Sequence, residues 1–221
     1  AVPYAELSDF YYVWLEKSLG YLYPDVFPSS LEPKSDEVVS TGLAAQPDDA
    51  ESELPKHYKE LLLHAFSEAS RVLSSDGIFA FLYIFQSFVS LEVLTKALSD
   101  AGFQMTAVYP FSMESRQVTS PPRRRLRRNY PILVGCRKRA SISGAANYLR
   151  VRAQVREAVR ESLREYEADE YASDYLLLQA IGSALTVFSE NQPVMKPGGE
   201  QVEVLDILRD VQDEVADFLI V

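Results

Sequence analysis

The stretch GIFAFLYIF, residues 77–85, runs through nine positions with no charge and no side-chain amide. A run this short and this apolar reads as a strand buried on both faces, as inside a parallel sheet. Before it, KHYKELLLHAFSEASRVLSSDG (56–77) predicts a helix with Leu61, Leu62, Ala65, Phe66, Ala69, Val72 and Leu73 on one face, ended by the Asp76-Gly77 turn. After it, SLEVLTKALSDAGF (90–103) predicts a second helix, capped by Ser90 and stopped by Gly102. FQMTAVYPF (103–111) and YPILVGCRKR (130–139) predict two more strands. Helix, strand, helix, strand, loop, strand argues for α/β layering with a parallel sheet. The last two strands have no helix between them and are free to form an antiparallel hairpin at the sheet edge. Three strands are few for this class, so part of the sheet is expected to come from elsewhere.

The flanks differ in character. LSDFYYVWLEKSLG (7–20) predicts a short amphipathic helix that packs Tyr11, Trp14, Leu15 and Leu19 on a core, with Ser8 as its cap, Asp9 at its positive end and Gly20 at its stop. Residues 24–55 form a long acidic loop punctuated by Pro24, Pro28, Pro33, Pro47 and Pro55. From Ser143 onward the chain reads as helical. A charged helix carries a Val151/Val155/Val159 stripe, and an apolar helix has the small residues Ala180, Gly182, Ser183 and Ala184 allowing close approach. NQPVMKPGGEQ (191–201) is a turn, and a last helix presents Val204, Ile207, Leu208, Val211, Val215 and Leu219. The organisation expected is an α/β part over 1–140 and a helical appendage over 141–221.

Composition excludes several classes. Of 221 residues, 47% are hydrophobic and 24% charged, enough to build a core without staples. One cysteine, Cys136, excludes an intrachain disulfide. His57 and His64 lie seven apart with no third ligand in view, so no metal site is expected. No apolar run approaches the ~20 residues of a membrane span, and no leader pattern is seen, so a cytoplasmic protein is expected. There is no G-x-G-x-x-G, no P-loop and no G-x-S-x-G elbow. Carboxylates such as Asp48 and Asp49 sit in the acidic loop, where solvation rather than catalysis is expected.

The net charge of −10 opposes phosphate attraction overall. Against it stands SPPRRRLRRN (120–129), in which Arg123, Arg124, Arg125, Arg127 and Arg128 follow Arg116 and precede Arg137, Lys138 and Arg139. Two readings stay open: a solvated surface loop, or a loop that grips phosphates with guanidinium forks.

Several blocks resemble one family in order along the chain. VPYAELSDFYYVWLEKSL (2–19) is similar to the stretch just after the catalytic Asp-Pro-Pro-Tyr motif in large prokaryotic adenine-specific DNA methylases, a zinc-ribbon-associated family with a domain of unknown function. HAFSEASRVLSSDGIFAFLYIF (64–85) resembles the family's helix and following strand, the R-V-L-x-x-x-G entry of Rossmann-like methyltransferases. ALSDAGFQMTAVYPFSMESR (97–116) resembles the next helix and strand, and SDYLLLQAIGSALTVFSENQPV (173–194) the family's C-terminal helical signature.

The resemblance implies a partial Rossmann-like methyltransferase sheet with a C-terminal helical appendage. It implies methyl transfer from S-adenosylmethionine to the exocyclic amine of a flipped DNA base. The Asp-Pro-Pro-Tyr motif and the Gly-rich cofactor turn are not in this sequence, so no catalytic residue carries over. By resemblance Tyr4, Glu6, Asp9 and Tyr11 flank the pocket, while Arg116 and the arginines at 123, 124, 125, 127 and 128 contact DNA. The partners expected are DNA and either a complementing polypeptide carrying the N-terminal methylase half or a second copy of the chain. The competing reading is a non-catalytic nucleic-acid- or protein-binding module on a methylase-derived scaffold.

Overall fold

A computed structural model of the chain describes residues 4–34, 37–39, 56–85, 87–110, 130–140, 144–164, 166 and 173–220. Among them are six helices, α1 (Tyr4–Leu19), α2 (Lys56–Val72), α3 (Phe88–Asp100), α4 (Tyr148–Leu163), α5 (Ser173–Glu190) and α6 (Val204–Ile220). The strands are β1 (Phe79–Phe85), β2 (Phe103–Pro110), β3 (Tyr130–Lys138), β4 (Ala146–Asn147) and β5 (Val194–Met195). The chain is therefore mixed α/β. Its residues group into two compact units, Ala1–Leu62 and Leu63–Val221.

In the second unit the three longer strands form one sheet in the order β1-β3-β2. β3 is antiparallel to both neighbours, from Phe79↔Cys136 to Phe85↔Tyr130 on one side and from Phe103↔Lys138 to Pro110↔Ile132 on the other. β1 and β2 are thus parallel to each other and joined by α3. The hairpin expected between the last two strands forms, but its returning strand enters between β1 and β2 instead of extending the edge. The sheet is accordingly antiparallel pair by pair, where a parallel one was expected.

Local chemistry fixes the turns. Ser87, not Ser90, caps α3: its hydroxyl accepts from the Ser90 amide at 3.2 Å, and the Ser90 hydroxyl accepts from the Ser87 amide at 3.2 Å. Gly102 leaves the helix at φ +81, a conformation that costs glycine little. Asn147 caps α4 by accepting from the amides of Leu149 and Arg150. β4 and β5 make a short parallel pair.

One face of the sheet is the core. Phe103, Met105, Val108, Ile132, Val134 and Cys136 are buried there, with Leu91, Leu94 and Leu98 of α3 buried as well. Phe66 of α2 lies 5.9 Å from the Phe79 ring and 5.3 Å from the Phe81 ring. Val72, expected on the buried side of α2, is exposed. α5 covers the outer edge of β2: the Met105 amide donates to the Ser189 hydroxyl at 2.8 Å, and Gly182 presses on the Val108 carbonyl.

The α4 valine stripe is buried as expected, as are Val204, Ile207, Leu208, Val211 and Val215 of α6. Arg152 grips Asp210 with two hydrogen bonds at 2.8 and 2.6 Å, and Arg156 and Arg160 both reach Glu214. These pairs tie α4 to α6.

Candidate functional site

α1 belongs to the first unit and carries the four expected pocket-flanking residues. It was expected to pack its aromatics on a core; Ala5 is its buried residue, while Tyr4, Leu7, Phe10, Tyr11, Trp14 and Leu15 are exposed. Tyr4, Leu7, Tyr11 and Trp14 recur at i, i+3, i+7 and i+10 and so share one face. Asp9 lies about 160° around the helix from Tyr11, at about 100° per residue.

The polar side of α1 is held by the chain that follows it. Lys34 Nζ donates to both Asp9 carboxylate oxygens, at 3.1 and 2.9 Å, and the Glu32 amide donates to Asp9 at 3.0 Å. The hydrogen bond from Lys34, with help from the Glu32 amide, holds the Asp9 carboxyl below its ordinary range. Ser8 donates to the Tyr4 carbonyl and to Glu32, so it sits inside the helix instead of capping it. The Glu37 carboxylate accepts the Ala5 amide at 3.1 Å and takes the capping role. Tyr12 meets Phe27 with ring centroids 5.4 Å apart. The first part of the long acidic loop therefore folds back on α1.

Of the four residues, Tyr4 and Tyr11 stand on the open aromatic face. Asp9 is committed to Lys34 and Glu32, and Glu6 is half-buried off that face. Arg116 and Arg123, Arg124, Arg125, Arg127 and Arg128 lie outside the described residues. Their neighbours are described and have other work. Arg137 donates to the Asp76 carbonyl at 2.8 Å. Arg139 turns inward and donates to the Phe103 carbonyl, the Ser189 carbonyl and the Gln192 side chain, at 3.1, 3.3 and 3.2 Å. Burial lowers the Arg139 pKa. It serves as a cation at the C-terminal end of α5, a favourable place for positive charge.

A groove of about 360 Å³ opens between β2, α4 and α5, lined by Thr106, Tyr109, Glu161, Ser162, Ser183 and Thr186 among others. Glu161 is paired with Arg164, and the lining offers no convergent acid–base pair.

Sequence reasoning missed one feature of the sheet. GIFAFLYIF was expected to be buried on both faces, yet Leu82 is 54% exposed and Ala80 is exposed too. The register places Leu82 opposite Leu133 and Tyr109 opposite Leu133, so these three side chains form a row across all three strands on one face. Leu133 and Tyr109 are also exposed, at 38% and 54%. Pairing register, which creates the row, is not readable from the separate segments.

No helix of the described residues is long and apolar enough to cross a membrane. No family model, curated protein or solved structure matches the chain.

Proposed function

We propose that this chain is the C-terminal part of an S-adenosylmethionine-dependent DNA amino-methyltransferase of the adenine type. One observation from the fold supports the reading beyond the sequence resemblance: two mutually parallel strands, β1 and β2, joined by a helix, with β3 reversed between them. Doubly wound sheets commonly carry such an antiparallel strand near one edge of an otherwise parallel sheet. On this reading the three strands are the closing side of a Rossmann-like sheet, and α4–α6 are its helical appendage.

The residues have limited but definable roles. Tyr4 and Tyr11 offer ring faces suited to stacking near a flipped base. Asp9 holds the following chain in place and is a positioning residue. The arginines at 116 and 123–128 supply cations for DNA phosphates. S-adenosylmethionine supplies the methyl group. Its Gly-rich turn and the Asp-Pro-Pro-Tyr motif come from another segment, and the setting is the cytoplasm.

The test is calorimetry and methyl transfer with labelled S-adenosylmethionine, on this chain alone and mixed with the polypeptide encoded upstream. Binding and transfer in the mixture alone is the expected result. Absence of both in the mixture overturns the enzyme reading in favour of a non-catalytic binding module.

A further inference from the structure

The sheet treats its two outer strands differently. β2 has a bulge between Met105 and Ala107, and its outer edge is covered by α5 through the Met105–Ser189 hydrogen bond and the Gly182 contact. Bulges and covering helices are how proteins blunt sheet edges. Among the described residues β1 has no such device. It is FAFLYIF, without charge, proline or bulge, and pairs only with β3 among the described residues. On its even face Ile78, Ala80 and Leu82 are exposed, and that face runs on through Leu133 to Tyr109.

Area and symmetry together select the occupant. Tyr109 and three aliphatic side chains, Ile78, Leu82 and Leu133, are 38–60% open. They offer on the order of 300–400 Å² together, if the full Tyr109 side chain presents roughly 150–250 Å² and each aliphatic one somewhat less. That equals a large patch for a whole monomer but about half of what each side of a stable interface buries. A partner must therefore use the β1 edge as well as the row.

A second copy meets the first need and fails the second. Antiparallel β1-to-β1 pairing has its dyad perpendicular to the sheet. Both uncovered faces then lie on the same side, and the Leu82–Leu133–Tyr109 row stays open in each copy. A strand that continues the sheet, followed by a helix lying back over its face, covers both. Crossover units have this form.

We infer that the β1 edge and the Ile78–Leu82–Leu133–Tyr109 face dock a strand–helix unit of a different polypeptide segment, one with an apolar strand and an apolar helical stripe. Identifying that segment as the N-terminal methylase half rests on the function proposed above; the surface itself rests on the sheet.

The full chain carrying Leu82→Lys and Leu133→Lys is compared with the unaltered chain. Alone, the variant melts no more than about 4 °C lower, because Leu82 is 54% and Leu133 38% exposed; a larger fall makes the row part of a core and overturns the inference. Mixed with the polypeptide encoded upstream, the unaltered chain shows at least a tenfold slowing of hydrogen exchange at amides of residues 79–85, and the variant binds at least tenfold more weakly. Association that leaves those amides unchanged, no association at all, or a β1-paired homodimer by sedimentation and exchange each overturn it. Association through β1 without S-adenosylmethionine binding sinks the methylase reading and leaves the surface standing; methyl transfer without β1 protection does the reverse.

Discussion

Gly182 is the position where one methyl group tests the packing of the whole second unit. A Cβ built there falls 2.3 Å from the Val108 carbonyl oxygen and 3.1 Å from its carbon. Ordinary contact lies about 1 Å further out. The obstacle is backbone in a paired strand, so no rotamer can swing away, and α5 must retreat. A gap of about 1 Å forfeits a quarter to a half of each dispersion contact it opens. It also stretches the 2.8 Å bond from the Met105 amide to Ser189. Overpacking of this kind costs about 1–3 kcal/mol, and the rigid obstacle puts Gly182→Ala at the upper end. Alanine returns about 1 kcal/mol through helix propensity. The net expectation is a loss of about 2 kcal/mol, or about 4–8 °C in melting temperature for a unit of this size. Ser183→Ala is the control. Its hydroxyl bonds back to the Gln179 carbonyl at 3.3 Å, and its removal shifts stability by no more than about 0.5 kcal/mol. Urea and thermal unfolding followed by circular dichroism read both. If Gly182→Ala is as stable as the unaltered chain or more so, α5 does not press on β2.

Two further outcomes follow from buried groups. Arg152→Ala strands the Asp210 carboxylate, which is largely buried and keeps the Tyr148 hydroxyl at 3.3 Å. It costs about 2 kcal/mol, while Asp210→Ala, which leaves a guanidinium that can reach water, costs about 1; the reverse order in urea titrations counts against the strap between α4 and α6. Burial pushes the Cys136 thiol from its ordinary 9.0 up to about 12. The folded chain therefore holds a proton that the unfolded chain releases, so this stabilisation is present below about pH 9 and lost as pH rises toward 12. At pH 8 the folded thiol should react with a disulfide reagent about a thousandfold more slowly than the unfolded one, in proportion to its thiolate fraction; comparable rates would mean that the strand opens freely.

How much of this was legible varies with the range of the interaction. The helices at 56–72, 88–100, 148–163 and 204–220 follow from apolar spacing, and the small residues of α5 announced a close approach that Gly182 makes. Caps failed at single residues. Ser90 lost to Ser87 because both serines bond reciprocally, and Ser8 lost to Glu37, which reaches the helix start from a distant loop. GIFAFLYIF carries the sequence of a strand covered on both faces, and the structure covers one. That mismatch was invisible until the register aligned Leu82, Leu133 and Tyr109. The same limit applies to α1, whose aromatics were expected in a core and stand exposed. Local patterns report what a segment is suited to bury; whether anything buries it is a matter of partners.

The proposed DNA contact rests on charge. Three of the four α4 arginines meet acids: Arg152 pairs with Asp210, and Arg156 and Arg160 with Glu214, while Arg164 beyond the helix pairs with Glu157 and Glu161. Lys34, Lys56, Arg71, Lys196 and Arg209 also have carboxylate partners, and Arg137 and Arg139 donate to backbone carbonyls. With −10 overall, most of the described cations are already neutralised. The proposed phosphate contacts are the ones the resemblance implies, Arg116, Arg123, Arg124, Arg125, Arg127 and Arg128. Six contacts set a ceiling on the salt dependence of duplex binding: log affinity against log salt should slope no more steeply than about −5, at about −0.9 per phosphate. Replacing the five arginines at 123–128 with alanine should flatten the slope to about −1. Fluorescence anisotropy over a salt series measures both. A five-alanine variant that keeps affinity and slope would show that the cations at 123–128 are solvated bystanders and that another surface, or another chain, holds the DNA.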